Sequence, residues 1–86
     1  MFDWDDANLE HIEKHGFTAD DAEAVILDPR RVRVDTYNAR GERRYGVIGQ
    51  SVGGDILHVV FVMRGGNIRP FHCRRATSAE KRRYRQ

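Results

Sequence analysis

Three glycine-bearing breaks divide residues 31–75 of this chain: "NARGE" at 38–42, Gly53-Gly54 and Gly65-Gly66. Between them stand "RVRVDTY" (31–37), "RRYGVIGQSV" (43–52), "DILHVVFVM" (55–63) and "NIRPFHCRR" (67–75). Short runs that alternate, or that are rich in β-branched and aromatic residues, read as strands when turn residues separate them. Paired glycines favour tight hairpins, so consecutive strands should run antiparallel. The third run is apolar on both faces and is expected to lie central and buried. Pro70 cannot donate a ladder hydrogen bond, which points to an edge strand or a bulge in the fourth.

Helices are expected on either side of these strands. Asp5 or Asp6 caps a first helix running to about His15, with Lys14 and His15 in its last turn and Gly16 as a stop. Thr18 and Asp21 form a capping-box pattern for a second helix, whose apolar face is Ala22, Val25 and Ile26 and which ends at Asp28-Pro29. Thr77 and Glu80 repeat the pattern for a short C-terminal helix. Two helices, a run of hairpin-linked strands and a last helix imply an α+β fold with an antiparallel sheet.

At 86 residues the chain suits one domain, 1–86, with one modest core. No apolar run approaches membrane-spanning length and the acidic start is unlike a signal peptide, so a cytoplasmic protein is expected. A single cysteine forms no internal disulfide. Net charge is only +2, but it is divided unevenly. Residues 1–28 carry nine acids and one base, a balance of −8, whereas residues 29–86 carry fourteen bases and four acids, a balance of +10. Most of those bases are arginines, whose planar forks match phosphate oxygens, so the C-terminal portion is suited to a polyanion. The alternative is that the two portions neutralise each other across the fold.

Several constellations bear on chemistry. His11 and His15 stand one helical turn apart, but in "HIEKH" the glutamate is third, so the H-E-x-x-H zinc arrangement is absent and no metal is expected. His58, in the most apolar strand, reads as a satisfied, partly buried side chain. In "IRPFHCRR", strand alternation places Phe71 and Cys73 toward the core and His72 with Arg74 on the other face. His72 and Cys73 therefore diverge, and nothing suggests an activated thiolate. Arg64, Arg74, His72 and Tyr84 are candidates to line a basic cleft. Metal-independent cleavage of RNA needs a base for the ribose 2′-hydroxyl, a cation for the phosphorane and an acid for the leaving oxygen. Arginine suits the second role, and histidine, tyrosine or glutamate the other two. A solvated basic rim is the competing reading.

Over essentially its whole length the chain resembles the BrnT family, toxins of type II toxin–antitoxin modules. The resemblance rests on "FDWDDANLEHIEKHG", "FTADDAEAVILDP", "GERRYGVIG" and "RRATSAEKRRY", in that order. It implies a RelE-like ribonuclease toxin fold and ribosome-independent cleavage of RNA that arrests translation and growth; no cofactor is expected. The implied partner is a BrnA-like antitoxin with a ribbon-helix-helix domain, forming a two-toxin, two-antitoxin complex that contacts operator DNA. By position, Lys14 and His15 match the family's K-H-G and Glu42-Arg43 its E-R. Arg64 matches the arginine ending the central strand, Arg74 that of the I-S-A-R segment, and Tyr84 a late tyrosine. Here Pro70-Phe71-His72-Cys73-Arg74 replaces I-I-S-A-R, so Cys73 stands for a small alanine and His72 for a small polar residue.

The expected function is thus a metal-independent endoribonuclease toxin. Its catalytic candidates are Arg64, Arg74, Tyr84, His72 and Glu42, and further RNA contacts are Lys14, His15, Arg43, Arg69 and Arg75. The alternatives are a non-catalytic nucleic-acid-binding module and a protein-interaction domain.

Overall fold

A computed structural model describes the backbone of residues 1–86 and the side chains of all but Asp35. The elements are helices α1 (Asp6–Lys14) and α2 (Ala19–Leu27), strands β1 (Val32–Ala39), β2 (Glu42–Gln50), β3 (Ile56–Arg64) and β4 (Asn67–Arg75), and helix α3 (Ser78–Tyr84). All four strands pair antiparallel in the order β1-β2-β3-β4, the meander that hairpin connections impose, and the fold is α+β as expected.

Each helix starts where a short polar side chain meets backbone N–H groups that have no intrahelical partner. Asp5, Thr18 and Thr77 all form capping boxes, with Asn8, Asp21 and Glu80 returning the bond. Two hairpins are tight: Arg40-Gly41 and Gly65-Gly66 have positive φ at both positions, as a type I′ turn needs. The third turn is longer than the two residues expected at Gly53-Gly54. Ser51 and Asp55 close it, with Ser51 N–H donating to the Asp55 carbonyl at 2.8 Å and Asp55 N–H to Ser51 Oγ at 3.2 Å.

The inner strand β3 is covered on both faces, as its composition predicts. On one face Leu57 and Val59 join Val47 and Cys73 against Ile12, Ala22, Val25 and Ile26 of α1 and α2. On the other, Ile48 and Ile56 pack against Ala76 and Tyr84 at α3. Each fully buried aliphatic side chain contributes roughly 1.5–3 kcal/mol. Gly49 allows α2 to lie directly on β2: a Cβ there would stand 2.7 Å from the Val25 carbonyl oxygen.

The expectation for β4 needs one correction. Val60 pairs with His72 and Phe61 with Pro70, so Phe71 is an extra residue in a β-bulge. Pro70 therefore sits on an edge strand and at a bulge. Cys73 faces the core, at 2% exposure, whereas Phe71 is turned to the opposite face with His72. The acidic N-terminal segment covers this edge. Phe2 bridges Ile68, Asn8 Nδ2 donates to the Pro70 carbonyl at 2.7 Å, and Arg69 is ion-paired to Asp3 and Asp5 at 3.6 and 3.0 Å. At Arg69, then, the acidic and basic portions do neutralise each other.

Candidate active site on the open sheet face

Strand alternation sends Glu42 and Arg44 of β2, His58, Val60, Val62 and Arg64 of β3, and Arg69, Phe71, His72 and Arg74 of β4 to the face that α3 only partly covers. Two adjoining clefts result, sharing Arg44 and Phe71 at their boundary. The cleft beside α3, of about 440 Å³, holds His58, His72, Arg74, Glu80 and Arg83. The cleft beside the start of α1, of about 300 Å³, holds His11, Glu42, Arg64 and Arg69.

The cations differ in how they are held. Arg74 is clamped by Glu80 through hydrogen bonds of 2.8 and 3.0 Å, and also donates to the Arg75 carbonyl. That fork holds the Glu80 carboxyl down to about 2 against its burial, with help from the Thr77 N–H. Arg64 pairs with Glu42 in the same two-pronged way, at 3.1 and 3.3 Å, which lowers the Glu42 pKa. Arg44 is bound by no carboxylate among the described residues. Its guanidinium lies 4.8 Å from the centre of the Phe71 ring, and its Nε is buried with no hydrogen-bond partner among the described residues. A buried donor left in this state is costly and is relieved when an acceptor arrives.

The imidazoles gather around His72. Its ring centre lies 6.0 Å from that of His11 and 6.4 Å from that of His15, which are themselves 5.2 Å apart, one in the last turn of α1 and the other at its C-cap. Burial, followed by the charge of His11, Arg74 and His15, pushes the His72 pKa below the ordinary imidazole value, so the ring is neutral at neutral pH. His58 pairs with Arg74 across the ladder, and Val60 with His72. His58 and His72 are therefore diagonal neighbours on one face, with backbones roughly 7–8 Å apart. Among the described residues, no group of three or more His, Cys, Asp or Glu side chains is arranged to hold a metal ion.

Of the catalytic candidates, His72 and Arg74 share the cleft beside α3, while Arg64 and Glu42 share the adjoining one. Tyr84 is not brought to either. It is 7% exposed and faces the core from the end of α3, where its hydroxyl donates to Asp28 Oδ2 at 2.5 Å and Arg30 lies over its ring. Of the RNA-contact candidates, His15 stands beside His72, and Lys14 is exposed at the end of the same helix. Arg69 is buried and ion-paired to the more exposed Asp3 and Asp5. Arg43 and Arg75 fall on the opposite sheet face, Arg75 ion-paired to Asp55 at 3.3 Å. Sequence reasoning passed over Arg44, Arg83, His11 and His58 as site residues. The period-two pattern from Glu42 would have indicated Arg44, but nothing local marks the others.

This is an α+β protein with a basic, imidazole-bearing cleft on one face of an antiparallel sheet. The family model described as "Ribonuclease toxin, BrnT, of type II toxin-antitoxin system" matches residues 4–80, and the chain belongs to that family. The match ends at Glu80, so Arg83 and Tyr84 lie beyond it. No curated protein matches the chain. Membership brings an RNA substrate and an antitoxin partner. Among the described residues, no helix is long and apolar enough to cross a membrane.

Proposed function

We propose that the cleft between α3 and the sheet cleaves RNA internally by transesterification, with side chains alone supplying the chemistry. The observation that carries this reading is the diagonal pair His58 and His72, flanking Arg74 with Arg44 alongside. Neutral His72 accepts the proton of a ribose 2′-hydroxyl, and the 2′-oxygen attacks the adjacent phosphorus. Arg44 and Arg74 meet the charge that develops on the phosphorane oxygens. Arg74 still has an Nε–H and one Nη2–H after its bonds to Glu80 and the Arg75 carbonyl, out of the five donors of a guanidinium. His58 gives a proton to the departing 5′-oxygen. The P–O2′ bond forms and the P–O5′ bond breaks, leaving a 2′,3′-cyclic phosphate and a 5′-hydroxyl.

Glu42 and Tyr84 have no step in this scheme, because one is held ionised by Arg64 and the other is hydrogen-bonded to Asp28. Arg64, with Lys14 and His15, extends the track for the RNA backbone. Cleavage of message would halt translation and growth, with the protein acting in the cytoplasm. The antitoxin in this reading is a BrnA-like ribbon-helix-helix protein that joins two toxins and contacts operator DNA.

The test is incubation of purified, antitoxin-free protein with single-stranded RNA in the presence of chelator, followed by analysis of the new ends. Cyclic phosphate and 5′-hydroxyl termini are expected. Retention of RNA without cutting, or 5′-phosphate ends, would contradict the scheme.

A further inference from the structure

The sheet face opposite the cleft is only half covered. α1 and α2 pack over one end of it, and beyond them runs an apolar groove of about 640 Å³. Tyr45 and Phe61 form its floor, stacked with ring centres 5.3 Å apart. Leu27 and Met63 line it while remaining 60% and 44% exposed. Arg31 and Arg33 border it and carry no ion pair among the described residues. Among the described residues, none lining the groove is acidic. Asp28, between Leu27 and Pro29, directs its carboxylate to Arg30 N–H, Gln50 N–H and Tyr84.

We propose that this groove is where the protein antitoxin docks, through an apolar segment flanked by Asp or Glu. The proposal rests on the toxin reading for the existence of that partner. Exposed large apolar side chains around a stacked aromatic pair mark a surface that gains by being covered. Arginines with no ion pair among the described residues, at its border, select an acidic companion. A second copy docked groove to groove would bring no carboxylate from the described lining residues to meet those arginines. RNA fits it poorly, since the floor is apolar and the imidazoles lie on the other face. Docking here grips the toxin from behind its cleft, so antitoxin binding and RNA cleavage depend on different residues.

The proposal is tested by co-expressing the tagged toxin with the product of the adjacent antitoxin gene and measuring retention and affinity. Leu27→Asp and Met63→Asp should each weaken binding by about 100-fold, and Arg31→Glu with Arg33→Glu by about tenfold. Val52→Asp, at a position 71% exposed and outside the groove, should leave binding unchanged. RNA cleavage by all these variants should stay within about twofold of wild type, which also shows that they fold. Full retention by Leu27→Asp and Met63→Asp overturns the proposal, as does equal loss with Val52→Asp or a wild-type chain that retains no such product. Failure of wild type to cut RNA while the binding pattern holds would instead remove the catalytic reading.

Discussion

Arg74 and Glu80 meet fork to fork at 2.8 and 3.0 Å, and the same carboxylate accepts the Thr77 N–H at 2.9 Å. One acidic side chain thereby caps α3, joins it to the end of β4 and fixes the direction of an arginine in the cleft. The Glu80 pKa falls from 4.5 to about 2 on folding. A depressed carboxyl stabilises the fold above its unfolded value and loses that contribution as pH falls through the folded one. Stability should therefore drop between about pH 4.5 and 2, and Glu80→Gln should flatten that drop. Because the Arg74 side chain is 41% exposed, the loss at neutral pH should be only about 1 kcal/mol. Urea denaturation across this pH range measures both.

Arg43 and Arg44 are adjacent in sequence and opposite in space. Arg44→Ala should lower cleavage by about 100-fold, the usual effect of removing one transition-state charge contact. Arg43→Ala should change kcat/KM by no more than about twofold. Single-turnover cleavage of a short RNA by the two variants makes the comparison, and similar losses for both would remove Arg44 from the chemistry.

Asn8 is 3% exposed and donates to the carbonyls of Asp3 and Pro70 while accepting from Asp5 N–H. Asn8→Ala leaves the buried Pro70 carbonyl without its partner, a defect costing about 2 kcal/mol. For a chain of this size the melting temperature should fall by roughly 10 °C, read by thermal denaturation.

Cys73 is buried, and burial, followed by the charge of Asp21, pushes its thiol up to about 12. The native protein should resist iodoacetamide at pH 8, and the urea-unfolded protein should react fully. Mass spectrometry of the alkylated product distinguishes the two, and rapid native labelling would place the thiol at the surface instead.

What the sequence reveals is what is local. The capping boxes at Thr18 and Thr77 span four residues and the glycine turns two, so helices and strands are legible within a few positions. Pro70 announces an edge or a bulge in β4, but not that Phe71 turns away from the core, because part of what holds the bulge is Asn8, 62 residues away, bonded to the Pro70 carbonyl. The same crossing of α1 past β4 brings His11 and His15 to His72, a contact between distant segments that no spacing announces. Tyr84 has the chemistry of a general acid, but its position is set by packing against Ile48 and Ile56 and by Asp28. Arg44 was legible in principle, since alternation from Glu42 selects it over Arg43.

The central claim is that His72 is the base, and the pH dependence of kcat/KM for RNA cleavage with chelator present tests it most directly. Wild type should lose activity on the acid side with an apparent pKa below the ordinary imidazole value of 6.5, since protonated His72 accepts no proton. His72→Ala should fall by about 100- to 10,000-fold and lose that acid limb. A folded His72→Ala protein that cuts RNA at the wild-type rate, with the limb intact, would contradict the account.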